Sequence, residues 1–259
     1  MVQTNLNNLL KDLKQKSNPD KAKILARFFK TGKGQYGEGD KFLGITVPES
    51  RKIAVQYSNL SFRELSTLIK NQYHEARLVA LLILVHQYRN CGRQGLPKNK
   101  IPTRQDLVVL VVKKKIVDFY LAHTKYINNW DLVDLSAGYI LGDYLYKGHI
   151  KRTSSMHVLY KLAKSNDIWE RRIAIISTFA FIYKGESRRT LLIVKMLLND
   201  PHDLIHKACG WMLREVGKRV SEGDLTSFLD IYSHHMPRTM LRYAIERLPK
   251  NMRMYYLKN

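Results

Sequence analysis

Apolar residues recur along this chain at intervals of three and four, and no stretch alternates apolar with polar over the length of a strand. That pattern predicts helices over residues 2–15 and 20–30, the second with Pro19 near its start. Phe42-Leu43-Gly44-Ile45 packs next, and Pro48 is suited to the first turn of the helix that follows. Ser61-Phe62-Arg63-Glu64 has capping-box spacing before another helix. Two strongly apolar helices are predicted over 73–88 and 103–123. Asn128-Asn129-Trp130-Asp131-Leu132-Val133-Asp134 opens a further helix running to about Tyr146. At about 100° per residue, Trp130, Asp134, Ala137, Leu141 and Leu145 fall on one side of it.

The C-terminal half carries a period. Arg172, Lys207 and Arg242 are spaced by 35 residues (207 − 172 = 35, 242 − 207 = 35), with Ala174, Cys209 and Ala244 in the same register. Asp200-Pro201 reads as one repeat boundary, an N-cap followed by proline at the first helical position, and Pro237 falls at a comparable place. Arg77-Leu78-Val79-Ala80 echoes the basic–alanine pairing earlier in the chain. Helix pairs recurring at this length predict an all-α chain, an α-solenoid of HEAT-like helical repeats with a concave basic groove, forming a single domain over 1–259. The basic, breaker-rich stretch at about 89–102 is expected to be an exposed loop.

Charge narrows the choice of partner. The chain has 44 Lys plus Arg against 22 Asp plus Glu, a formal net charge of +22, so a polyanion is the expected partner. The longest wholly apolar run, Leu78 to Val85, is too short to span a bilayer, and no lipidation motif is present, so a membrane is not expected. The N-terminal residues do not read as a signal peptide, and two cysteines build no disulfide framework. The expectation is a soluble, cytoplasmic monomer that binds nucleic acid in its groove.

Two stretches carry candidate chemistry. Asp134 stands in an apolar stripe one turn from Trp130, and an ionised carboxylate there needs a partner, from the protein or from a ligand. A structural aspartate, salt-bridged or capping a neighbouring helix, satisfies that need as well as a functional one does. On the helix at 203–217, Ile205, Cys209, Met212, Leu213 and Val216 form the core face. Trp211 lies on the other side among Lys207, Arg214 and Lys218. Tryptophan is usually a core residue, but an aromatic flanked by cations is also the arrangement that stacks on sugars or bases while its neighbours hold phosphates. Arg172 shares a face with Trp169, Ile176 and Tyr183, whereas Arg171 points about 100° away. The two arginines therefore do different jobs, one binding phosphate and the other pairing on the surface or between helices. Thr31 to Asp40 is glycine-rich but lacks the P-loop spacing and any preceding strand. Lys113-Lys114-Lys115 reads as a solvated face. His202, His206 and Cys209 have helical metal-ligand spacing, but no fourth ligand is in view and Cys209 belongs to the core register; no metal is expected.

The blocks Tyr36-Gly37-Glu38-Gly39-Asp40-Lys41-Phe42-Leu43-Gly44-Ile45 with Pro48 and Arg51, Trp130-Asp131-Leu132-Val133-Asp134, Trp169-Glu170-Arg171-Arg172, and Gly210-Trp211-Met212-Leu213-Arg214-Glu215 together resemble the DNA alkylation repair family. Those are HEAT-like-repeat DNA glycosylases of the AlkD type. The resemblance implies that Trp130, Asp134 and Trp211 are catalytic and that Arg172 contacts DNA. Tyr36 in its first block, and Lys207, Arg214 and Lys218 from the basic stripe around Trp211, are further DNA-contact candidates. It implies monofunctional excision of cationic N3- or N7-alkylated purines from duplex DNA by hydrolysis of the N-glycosidic bond, without cofactor, in base excision repair. The basic loop at about 89–102 is larger than the resemblance leads one to expect. Three rivals remain: a non-catalytic HEAT-repeat protein that binds damaged or unusual DNA; a protein-interaction solenoid, which the net charge disfavours; and an RNA-binding version, since phosphate contacts do not distinguish the two polymers.

Overall fold

The computed structural model describes residues 5–92, 103–147 and 152–258. They fall into two compact units, Met1–Ser136 and Ala137–Asn259. Among the described residues the only extended pairing is an isolated parallel bridge between Lys41 and Tyr73, so the chain is all-α as the periodicity predicts. The part of the basic loop that lies at 93–102 falls outside the described residues.

The first unit is built on α5 (His74–Asn90), on which α3 (Val47–Gln56), α4 (Phe62–Leu68), α6 (Arg104–Ala122) and α7 (Trp130–Asp134) all pack. Every residue of α5 from His74 to Val85 is buried, so this helix has no solvent face over its first three turns. Helix starts follow local chemistry. Ser61 with Glu64, Thr46 with Glu49, and Thr103 with Asp106 each close a capping box. Pro48 stands in the first turn of α3 as expected. Ahead of these lie α1 (Asn5–Gln15), which buries Leu9 and Leu13, and α2 (Pro19–Phe28), capped by Asn18. Gly44 adopts φ +83°, and a Cβ there would lie 2.1 Å from the Asn18 carbonyl oxygen, so only glycine lets the 42–45 segment run against the start of α2. Lys113 departs from the solvated-face expectation. It is buried, its ammonium 4.7 Å from the centre of the buried Tyr88 ring, while Lys114 pairs with Asp118 at the surface.

The second unit shows the repeat directly. Its helices α10 (Ile168–Ser177), α13 (Asp203–Arg219) and α15 (Arg238–Ala244) begin 35 residues apart (203 − 168 = 35, 238 − 203 = 35). α13 packs on both of the others. Between and after them run α11 (Phe179–Ile182), α12 (Arg188–Met196), α14 (Glu222–Tyr232) and α16 (Lys250–Lys258); α8 (Asp143–Tyr146) and α9 (Arg152–Ala163) precede them. The small residues of the repeat register do what their size suggests: Cys209 and Ala244 are buried where helices meet. At Gly210 a Cβ would come within 2.4 Å of the Met240 carbonyl oxygen, so the backbones of α13 and α15 approach closely there.

Two local expectations are corrected. The helix opening at Trp130 does not run unbroken to Tyr146. α7 ends at Asp134, a turn follows, and residues Gly138–Gly142 form a π-helical turn in which the Gly142 N–H donates to the Ala137 carbonyl five residues back. The Ser136 hydroxyl donates to the Leu132 carbonyl at 2.5 Å, competing with the helix ladder. The wider π turn keeps Gly142 against α10, where a Cβ would stand 2.3 Å from the Ser177 carbonyl oxygen. The apolar stripe drawn from Trp130 to Leu145 therefore does not persist. Asp200 is likewise not the N-cap of α13. That cap is His202, whose Nδ1 accepts the Leu204 N–H at 3.2 Å, while the Asp200 carboxylate accepts the His202 N–H at 2.9 Å.

Candidate functional site

α7 carries two of the predicted residues one turn apart. Trp130 opens the helix and Asp134 closes it, and both are half-buried. Asp134 is thus not sealed among leucines. Beneath it, the buried Tyr120 hydroxyl hydrogen-bonds Ser136 Oγ at 3.0 Å. Burial, joined by the negative charge of Asp134 and opposed by the Ser136 hydrogen bond, raises the Tyr120 pKa, so the phenol stays neutral beside the carboxylate.

The sealed carboxylate of this helix is Asp131, and it belongs to a cluster that the sequence reading missed. His74, at the first position of α5, hydrogen-bonds Asp131 through Nε2 at 2.8 Å and Asp40 through Nδ1 at 3.3 Å. Arg77 Nη2 donates to Asp40 at 2.7 Å, and Asn128 Nδ2 donates to the same carboxylate at 3.0 Å. Burial pushes the imidazolium toward neutrality, but the hydrogen bonds it donates to Asp131 and Asp40 outweigh that and lift the pKa to about 9. For Asp40, burial raises the pKa, and the His74 hydrogen bond and Arg77 charge more than reverse that, leaving it lowered. Two cations and two carboxylates therefore cancel in a buried space. The neighbouring Glu75 accepts the backbone N–H groups of Leu43, Gly44 and Ile45 at 2.8–3.2 Å, tying the Tyr36–Ile45 block to α5.

Aromatic rings cover the charged cluster. Phe42 stacks on His74 at 4.7 Å between centroids, Phe29 on Phe42 at 5.1 Å, and Trp130 on Phe29 at 5.2 Å. Trp130 is thus the outer member of a stack whose base is a charged imidazolium. Asn128 and Asp131, on either side of it in sequence, bind the same ionic cluster. His74, Glu75 and Arg77, in the first turn of α5 just ahead of the apolar run Leu78–Val85, were the available signal, because polar groups buried there demand partners. Tyr36 is half-buried in the glycine-rich loop, with the Lys30 ammonium 6.0 Å from its ring centre.

In the second unit α13 presents the predicted division of faces. Ile205, Cys209, Met212, Leu213 and Val216 are fully buried, and Trp211 is half-buried on the other side, 6.2 Å from the Phe179 ring. Its cationic neighbours are engaged locally: Lys207 with Asp203 at 2.7 Å, Arg214 with Glu246, while Lys218 is exposed. The two arginines diverge as their angular offset implies, but both have partners within the protein. Arg171 binds Asp200 at 2.6 Å and the carbonyls of Ser165 and Asn166, an inter-element brace. Arg172 is buried and donates to the Leu204 carbonyl at 2.6 Å, joining α10 to the first turn of α13. His202 and His206 are committed to backbone, His206 to the Asp200 carbonyl, and burial raises the pKa of the Cys209 thiol.

A sequence profile described as "DNA alkylation repair enzyme" matches residues 9–248, nearly the whole chain. The chain belongs to the DNA alkylation repair enzyme family. No curated protein sequence matches the chain significantly. Among solved structures, the chain is similar to a predicted DNA alkylation repair enzyme from Enterococcus faecalis. The TM-score is 0.61 and the identity 17%, covering 91% of this chain and 98% of that one. At that identity the likeness is one of fold. Family membership places the protein in DNA alkylation repair and makes DNA its partner. No helix among the described residues is long and apolar enough to cross a membrane.

Proposed function

We propose that this member of the family is a monofunctional DNA glycosylase that releases cationic N3- or N7-alkylated purines from duplex DNA. The observation that carries this reading is the pairing on α7 of a half-exposed carboxylate, Asp134, with a half-exposed indole, Trp130, held from beneath by a charged, buried cluster. A cationic purine is already a good leaving group, so no strong general acid is needed. What rises in the transition state is positive charge on the deoxyribose as the glycosidic bond lengthens. A preorganised carboxylate stabilises that charge and orients the attacking water. The indole face favours the same developing cation. The water adds its oxygen to C1′ and gives up one proton, and the base departs with the glycosidic electron pair.

Trp211 takes the corresponding sugar-packing role in this reading, with Arg172, Tyr36, Lys207, Arg214 and Lys218 assigned to phosphate contacts. The Lys207–Asp203 and Arg214–Glu246 pairs are ones that phosphate can compete for, each worth about 1 kcal/mol or less. Arg172, buried and bonded to the Leu204 carbonyl, is assigned from the family resemblance alone. The test is release of 7-methylguanine or 3-methyladenine from methylated duplex DNA. Asp134→Asn is expected to lower the single-turnover rate by about 100-fold or more while leaving the DNA dissociation constant within about three-fold. An Asp134→Asn protein as active as the wild type overturns the assignment.

A further inference from the structure

We infer that Ile24 and Phe28 on α2 form an apolar wedge that seats against the bases and sugars of DNA beside Trp130, with Lys21, Lys23 and Arg27 holding the flanking phosphates. This rests on the proposed site but concerns binding, and is tested without excision. Helix α2 buries none of its residues, although it is fixed at both ends. At its start the Asn18 N–H donates to the Leu43 carbonyl at 2.8 Å, and Gly44 packs against the same turn. At its end Phe29 is buried in the aromatic stack. Between these anchors Ile24 is 67% exposed and Phe28 61% exposed, four residues apart and so on one face.

Two large apolar side chains exposed side by side form a small contiguous patch, the kind of surface that marks an interaction site when the surroundings supply a matching partner chemistry. Two features of the surroundings decide its chemistry. First, the exposed neighbours of the pair on α2 are Lys21, Lys23 and Arg27, with Asp20 the one acid, itself 3.8 Å from Lys23. A cation-flanked apolar strip matches a polyanion that also offers flat apolar surface, which is what a nucleic acid strand presents. Second, the Phe28 ring meets Trp130 edge to face at 6.0 Å and Phe29 at 5.1 Å. Whatever lies on the exposed part of Trp130 therefore meets Phe28 next. The wedge is an outward continuation of the site.

The measurement is fluorescence anisotropy of an unmodified duplex of about 25 base pairs, at several salt concentrations, for the wild type and for Phe28→Ala, Ile24→Ala and Arg27→Gln. Phe28→Ala is expected to raise the dissociation constant about ten-fold, with Ile24→Ala raising it about three-fold, both at an unchanged salt slope. Arg27→Gln is expected to lessen the slope by about one, the signature of a lost phosphate contact. Circular dichroism melting within a few degrees of the wild type for Phe28→Ala shows that its effect is local; Ile24→Ala, one turn removed from the aromatic stack, supplies an independent reading. Unchanged duplex affinity in both apolar variants overturns the inference. So does loss of binding to phosphatidylglycerol vesicles in Phe28→Ala with duplex affinity intact, which would assign the strip to a membrane surface. Absence of base release with the affinity losses present would reject the glycosylase reading and leave the wedge standing.

Discussion

His74 shows how a single residue ties stability to the site. Its pKa of about 9 lies above the ordinary value of 6.5 because Asp131 and Asp40 favour the charged ring more strongly than burial penalises it. A group whose folded pKa is raised contributes stability that is fully present below its unfolded pKa, here about 6.5, and is lost as pH rises through about 9. The contribution is on the order of 3 kcal/mol at its maximum. Urea unfolding at pH 6.5, 8 and 9.5 should show this loss in the wild type and not in His74→Leu. The variant itself should be destabilised by about 3 kcal/mol, because it leaves Asp131 buried without its cation. A wild-type pH profile parallel to that of His74→Leu would remove the imidazolium from the scheme. At this same scale the sequence was a partial guide. Spacing singled out Trp130 and Asp134, which lie one turn apart and half-buried on α7, but the carboxylate sealed in the core is Asp131. Nothing local distinguishes the two acids; the distinction comes from His74 and Asp40, which are distant in sequence.

At the scale of elements, glycine decides where helices may touch. Gly210 precedes Trp211, and its α-carbon faces the Met240 carbonyl so closely that an added methyl would fall within 2.4 Å. Gly210→Ala is therefore expected to cost about 2 kcal/mol or more and to lower the melting temperature by several degrees. A melting temperature equal to that of the wild type would show that α13 and α15 can separate freely. The helices themselves were readable: α5, α6 and α13 fall within a few residues of their predicted spans, and α3 and α4 begin where Pro48 and the Ser61–Glu64 capping box placed a helix start, because capping boxes and apolar periodicity are local signals. The 35-residue register likewise reappears in the starts of α10, α13 and α15. The break after Asp134 was not readable. It arises from a serine turning back onto its own helix and from the packing of Gly142 on α10, and a constant 100° step cannot represent either. The cap of α13 was misassigned for a similar reason: the Asp200 carboxylate is taken by Arg171, so His202 takes over as cap.

Over the whole molecule, the net charge of +22 and membership in a DNA alkylation repair family point to the same partner. Each phosphate neutralised steepens the salt dependence of binding by about 0.9 in the log–log slope. A slope of about −5 or steeper for duplex DNA is expected, and a slope near −1 would mean that the charge excess serves another purpose. Binding alone does not separate an enzyme from a non-catalytic DNA-binding relative, because both keep the cationic surface. Chemistry separates them. The decisive measurement is single-turnover release of 7-methylguanine or 3-methyladenine from methylated duplex DNA by the purified wild type and by Asp134→Asn. Release by the wild type, reduced about 100-fold or more in the variant at similar DNA affinity, is the expected result. No release by the wild type, with salt-sensitive binding intact, would contradict the glycosylase and leave a DNA-binding protein.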